Sequence, residues 1–127
     1  MTYANIFPKE AFQKIEKEGF SYLDVRTEEE FKQSHAKGAL NIPIFLATPA
    51  GRQFNPEFLA AVQEKFPANA KLVIGCHSGG RSGKACQLLE EVGYKNLFNI
   101  DGGFGGRFNP ETGEQIKGWS EEGLPCE

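Results

Sequence analysis

One stretch carries the groups that could do chemistry: Gly75-Cys76-His77-Ser78-Gly79-Gly80-Arg81-Ser82. An apolar run, Leu72-Val73-Ile74, precedes it, and residues 85–92, with Ala85, Leu88, Leu89 and Val92 at helical spacing, follow it. The order is therefore strand, tight loop, helix. Glycines let the backbone curl around the cysteine, so that main-chain N–H groups and a helix N-terminus surround its sulfur. Such a ring favours negative charge, and the Cys76 thiol is expected to ionise below the ~8.5 of a free cysteine. Arg81 adds a fixed positive charge and a forked donor, suited either to an incoming oxyanion or to holding the loop in shape. The residue types point to a nucleophilic or sulfur-carrying cysteine, with His77, Ser78, Gly79, Gly80, Arg81 and Ser82 as its binding loop.

Several elements must position that loop. Pro8 suits a first helical position, Ala11, Phe12 and Ile15 give one apolar face, and Gly19 stops the helix; Ile6-Phe7 before it reads as a short strand. Residues 20–25 read as a strand, followed by a capping box of Thr27 with Glu30 and a short helix through Phe31. His35-Ala36-Lys37-Gly38 is a connection, and Ala39-Leu40-Asn41-Ile42 is a short strand broken by Pro43. Residues 47–53 are turn-like in composition. Asn55-Pro56-Glu57 then supplies an N-cap, a first-turn proline and a first-turn acid for a helix lined by Leu59, Val62 and Phe66. Strands are expected over residues 71–74 and 96–100, an irregular or hairpin-like excursion over residues 105–118, and a short closing helix around Trp119. Strands alternating with helices imply a parallel sheet covered on both faces, with ligands at the carboxyl ends of its strands, where the cysteine loop falls. Phe54-Asn55-Pro56-Glu57 recurs as Phe108-Asn109-Pro110-Glu111, with no similarity on either side, so it reads as one turn chemistry used twice.

Composition narrows the function. A chain of 127 residues is expected to form one domain, residues 1–127, around a single core. A net charge of −3 with fourteen scattered basic residues leaves no footprint for nucleic acid or an anionic membrane. The N-terminus lacks a basic start and an apolar core, no run approaches a membrane span, and a cytoplasmic location is expected. Cys76, Cys86 and Cys126 form no close pair, which argues against a disulfide framework or a metal site. Cys86 reads as a packing residue and Cys126 as an idle tail thiol, with persulfide resolution as its alternative use. Residues 78–85 imitate a phosphate-binding loop through Gly83-Lys84, yet Ser78 replaces the first glycine and Ala85 the metal-binding hydroxyl, so ATP is not expected.

These residues stand in the order of a known family. Asp24-Val25-Arg26, Glu30-Phe31, His35, Gly38-Ala39, Asn41-Ile42-Pro43, the loop from Cys76 to Ser82, Gly102-Gly103, Trp119 and Gly123-Leu124-Pro125 resemble a single-domain rhodanese, of the thiosulfate sulfurtransferase type. The resemblance implies a three-layer α/β/α domain with a five-stranded parallel sheet, and a persulfide carried on Cys76. It departs from the family at Ser34, where glycine is usual, and at residues 105–118, which separate the double glycine from the tryptophan and could border the site. Arg81 stands five positions after Cys76, one fewer than in related cysteine-dependent phosphatases, so the ring suits an extra sulfur atom better than a phosphoryl group.

The expected reaction moves sulfane sulfur from thiosulfate or a related donor to a thiol or cyanide, in two half-reactions and without a cofactor. A persulfide carrier serving a sulfur-relay protein is the second reading, and a phosphatase or arsenate reductase the third. Asp24 and Arg26 are expected to support the loop from beneath by hydrogen bonds, or simply to pair at a strand end. His77 serves as a nearby cation or proton relay in one reading; the favoured one turns it outward. His35 reads as structural and Trp119 as a core anchor.

Overall fold

The computed structural model describes residues 3–127, so Met1 and Thr2 of the N-terminal stretch lie outside it. Five strands form one parallel sheet: β1 (Ala4–Ile6), β2 (Ser21–Asp24), β3 (Leu40–Asn41), β6 (Lys71–Gly75) and β7 (Asn96–Ile100), in the order β1-β7-β6-β2-β3. Side chains alternate across it. Leu23, Leu72, Ile74 and Leu97 face one layer, built by α3 (Phe58–Lys65) and α4 (Gly80–Glu91) through Phe58, Val62, Ala85, Cys86 and Leu89. Tyr22, Val73 and Ile100 face the other, where Ala11, Phe12 and Ile15 of α1 (Pro8–Glu18) meet Trp119. Coverage on both faces is why Leu72-Val73-Ile74 is apolar without alternation. The three-layer α/β/α expectation therefore holds.

Topology puts the cysteine at a crevice. From β2 the chain leaves toward β3, and from β6, its neighbour, it leaves in the opposite direction toward β7. The carboxyl ends of β2 and β6 thus meet where connections diverge, the place at which open α/β sheets bind ligands. Cys76 follows the last residue of β6.

Local signals hold in most elements. Pro8 opens α1 and Gly19, at φ 77°, ends it. Thr27 and Glu30 form both halves of the capping box of α2 (Glu28–Gln33). Three expectations change. Residues 47–53 belong to an antiparallel hairpin, β4 (Phe45–Thr48) with β5 (Gly51–Phe54), closed by Thr48 Oγ1 donating to the Gly51 carbonyl at 2.6 Å and held by an edge-to-face Phe45–Phe54 pair. Asn55 is not the cap of α3: its Oδ1 accepts from the Glu57 N–H at 3.0 Å, closing a turn ahead of the helix, and Glu57 precedes the first helical residue. Asn109 makes the same bond to the Glu111 N–H at 3.0 Å, so the repeated tetrapeptide is one turn used twice.

The third change is at the C-terminus. The 105–118 excursion is a hairpin, β8 (Arg107–Asn109) with β9 (Glu114–Ile116), but no helix follows around Trp119. The chain makes a single helical turn, the Glu122 N–H donating to the Gly118 carbonyl at 3.0 Å, and Gly123, at φ 74°, ends it as the Leu124 N–H donates back to the Trp119 carbonyl at 3.3 Å. The N–H groups of Trp119 and Ser120, which a first turn leaves free, donate to the Gly103 and Phe104 carbonyls at 2.8 and 3.0 Å. Trp119 is the core anchor expected: it is 1% exposed, edge-on to Phe12 and Tyr22, with its indole N–H donating to the Pro125 carbonyl at 2.8 Å. Trp119→Ala is expected to cost about 3–5 kcal/mol in urea-induced unfolding; a loss under about 1 kcal/mol would show that this side of the sheet is held by something else.

Candidate active site

The cysteine loop is shaped from behind. Carbonyls of Cys76, His77 and Ser78 accept from the N–H groups of Phe104, Gly105 and Gly102 at 2.8, 2.8 and 3.0 Å. The Gly79 carbonyl accepts from the Gly83 N–H at 3.1 Å and from Asn99 Nδ2 at 3.2 Å. With the carbonyls held outward, the N–H groups of His77, Ser78, Gly80, Arg81 and Ser82 are left without a partner among the described residues. These are a nest of donors for an anion. Gly79, at φ 127°, makes the turn that starts α4, whose first turn contains Arg81 and Ser82 rather than beginning at residue 85. Gly103 must lack a side chain, because a Cβ there would press into the Cys76 carbonyl oxygen and the His77 carbonyl.

Cys76 lies at the bottom of this loop, 1% exposed. Its Sγ accepts from the Gly79 N–H at 3.1 Å, the one amide of the expected ring that reaches Sγ itself among the described residues. Ser82 Oγ stands 3.4 Å from Sγ, 3.2 Å from the Gly79 carbonyl and 2.5 Å from Asn99 Oδ1. Asn99 Nδ2 donates to Asn5 Oδ1 and the Gly79 carbonyl, which fixes the amide so that Oδ1 can only accept. The single Ser82 proton thus has three acceptors within reach, Asn99 Oδ1, the Gly79 carbonyl and Cys76 Sγ, of which Asn99 Oδ1 is the nearest.

Arg81 is held by Glu30. Its Nη1 and Nη2 donate to Glu30 Oε1 and Oε2 at 2.8 and 3.0 Å, a bidentate pair with Arg81 only 13% exposed. Glu30 also caps α2, accepting from the Thr27 N–H at 3.1 Å, so one carboxylate ties that helix to the cysteine loop. The Arg81 hydrogen bonds hold the Glu30 carboxyl at about 2, well below its usual range, and Glu30 in turn raises Arg81.

Asp24 and Arg26 form a buried pair, with Arg26 Nη2 donating to Asp24 Oδ2 at 2.8 Å and to the Ser34 carbonyl at 2.8 Å. They do not hydrogen-bond residues 76–82 among the described residues. What joins the pair to the loop is Phe104, whose ring lies 4.5 Å from the Arg26 guanidinium and whose N–H donates to the Cys76 carbonyl. His77 is exposed and its ring lies against Gly105, the outward placement. His35 stacks on Phe31 at 3.6 Å, away from the loop. Burial pushes the Cys86 thiol up to about 12, consistent with packing, and exposed Cys126 lies in the tail beside Ala36. Glu30 and Asn99 were not singled out as site residues by the sequence reading; a lone polar residue inside the apolar run of β7 was the available signal for Asn99.

A three-layer α/β/α domain with a cysteine loop at its switch point is the class that fold and site define. The chain belongs to the rhodanese-like domain family, whose model matches residues 7–106. It is 39% identical over 107 residues to "Thiosulfate sulfurtransferase 16, chloroplastic" of Arabidopsis thaliana, covering 84% of this chain and 79% of that protein. It is 44% identical over 86 residues to "Protein HIGH ARSENIC CONTENT 1, mitochondrial" of the same plant, covering 68% of this chain and 51% of that one. The chain thus spans between about half and four-fifths of these relatives' lengths. Among solved structures, Rv0390 from M. tuberculosis shares the fold with a TM-score of 0.81 at 24% identity, covering 100% of this chain and 98% of that one.

The Glu30 pair has a pH signature. Its carboxyl binds protons less readily when folded, so the pair's stabilisation is complete above the usual carboxylate range near 4.5 and is lost as pH falls toward about 2. Glu30→Gln keeps an amide for the helix cap but removes the charge. It is expected to be less stable than wild type at pH 7 in urea unfolding, with the gap closing between about pH 5 and 2; a constant gap across that window would reject the Arg81 pair as its cause.

Proposed function

We propose that the protein is a sulfurtransferase carrying sulfane sulfur on Cys76. The observation that supports this best is the set of unpartnered loop N–H groups that follow a deeply seated cysteine, donors available to an anionic sulfur carried beyond Sγ. In the first half-reaction the Cys76 thiolate attacks the outer sulfur of thiosulfate; the S–S bond breaks and sulfite leaves with the bonding electron pair. Cys76 then bears a persulfide anion, held by loop amides as an oxyanion hole holds oxygen. In the second, cyanide or a thiolate attacks the outer sulfur and regenerates the Cys76 thiolate, giving thiocyanate or a new persulfide. No net oxidant or reductant enters.

Arg81 and Glu30 keep the loop shaped through both steps, and Ser82, oriented by Asn99, gives the sulfur a polar neighbour. The thiol acceptor is either a small molecule or a sulfur-relay protein. We place the reaction in the cytoplasm, whose reducing conditions suit three free thiols. A second reading, arsenate reduction by the same cysteine, is favoured by one observation: a relative that is 44% identical bears the name HIGH ARSENIC CONTENT 1.

Purified protein is expected to form thiocyanate from thiosulfate and cyanide, and its intact mass to show one added sulfur atom after thiosulfate alone. Cys76→Ser should lose both, while Cys86→Ser and Cys126→Ser keep them. Full activity in Cys76→Ser would end the proposal, and thiol-dependent arsenite production without thiocyanate formation would put the arsenate reading in its place.

A further inference from the structure

Three guanidinium groups gather at the carboxyl ends of β2 and β6, and two are fully engaged. Arg26 is bound to Asp24 and the Ser34 carbonyl, and Arg81 has both arms on Glu30. Arg52 differs. It is 53% exposed, its Nη2 stands 3.8 Å from Glu30 Oε1, and among the described residues it makes no hydrogen bond. Arg26 pairs with Asp24, while Arg81 and Arg52 share the one Glu30 carboxylate, so the three guanidiniums face two carboxylates and the set keeps one net positive charge, with Arg52 its loosely held member. Glu28 and Glu29 line an adjoining groove with Lys32, and neither lies within ion-pair distance of Arg52.

The hairpin register explains how Arg52 comes to stand there. Phe45 pairs with Phe54 and Ala47 with Arg52, so the side chains at 52 and 54 share a face with that of Phe45. Phe45 packs against the core cluster that contains Cys76. The Ile44 N–H donates to the Val25 carbonyl at 3.2 Å, which seats the hairpin's start on the end of β2. Arg52 therefore lies on the hairpin face it shares with Phe45 and comes within 3.8 Å of the Glu30 carboxylate that holds Arg81 of the cysteine loop.

We propose that Arg52 selects the charge of the sulfur donor: its guanidinium captures the anionic end of a sulfonate-type donor and presents the outer sulfur to Cys76. The proposal rests on the sulfur-transfer reading, and it gives Arg52 the anion-binding duty that the Glu30 pair withholds from Arg81. A guanidinium is suited to it, because its planar fork matches two sulfonate oxygens at once. Neutral reagents gain nothing from the same charge.

Alkylation reads the field at Cys76 without any sulfur transfer. Iodoacetate and iodoacetamide share a leaving group and differ in charge, and peptide mass mapping in a Cys126→Ser background assigns the product to Cys76. The iodoacetate-to-iodoacetamide rate ratio is expected to fall about fivefold in Arg52→Ala, to be kept in Arg52→Lys and to fall further in Arg52→Glu. Molar salt should close the gap between wild type and Arg52→Ala. Loading from limiting thiosulfate, followed by intact mass, is expected to slow by a similar factor in Arg52→Ala with the same final extent. An equal alkylation ratio in wild type and Arg52→Ala overturns the proposal. A wild type that shows the charge-dependent ratio but takes no sulfur overturns the sulfur-transfer reading instead, and with it the donor assigned to Arg52.

Discussion

Hydrogen bonds from the N–H groups of Gly102, Phe104 and Gly105 to the carbonyls of Ser78, Cys76 and His77 are the constraint on which the site depends. A peptide unit is planar, so fixing its carbonyl direction fixes the N–H on the other side. The segment after β7 thereby decides where the amides after β6 point. Without it the loop carbonyls would be free to turn inward, and the cysteine would face oxygen lone pairs in place of donors. The absence of a side chain at Gly103 follows from the same contact, since the two backbones touch.

Electrostatics are arranged around this backbone device in pairs. Asp24 with Arg26 and Glu30 with Arg81 are each bidentate, and each joins elements that are distant in sequence: the first reaches the 102–105 segment through the Phe104 ring, the second ties α2 to the start of α4. Because both pairs are satisfied internally, neither cation is unmatched at the loop. A buried ion pair adds little net stability against its desolvation, and its value here lies in direction, holding two backbones in one relation.

Much of this was legible in the sequence, and for physical reasons. Strands β6 and β7 are buried on both faces, so their apolar runs stand out, and the Thr27–Glu30 capping box is local. The strand-loop-helix order around Cys76 followed from glycines and helical spacing. The hairpin of residues 45–54 was not legible, because Gly51-Arg52-Gln53-Phe54 is exposed throughout and carries no one-sided apolar pattern. The helix looked for around Trp119 stops after one turn, because Gly123 enters the left-handed region and caps it. Glu30 was visible as a cap, but its pairing with Arg81, 51 residues away, is a product of the fold. The hydrogen bonds looked for between the Asp24–Arg26 pair and the loop gave way to a stack on Phe104, an interaction no spacing rule announces.

The β8–β9 hairpin leaves the body of the protein at Gly106, whose N–H donates to the Gly102 carbonyl at 2.7 Å, and returns at Trp119, bound to Gly103. Gly118 packs against Gly106 so closely that no side chain would fit between them. Exit and re-entry are therefore stitched together at the base, where Arg107 also holds Asp101 and Ile116 lies on Gly102, and the tip beyond residue 108 is an appendix. The join, and not the length of what hangs from it, holds the backbone behind the cysteine loop in place. An arm so attached can be lengthened, trimmed or redecorated beyond its join while the sulfur's surroundings stay as they are.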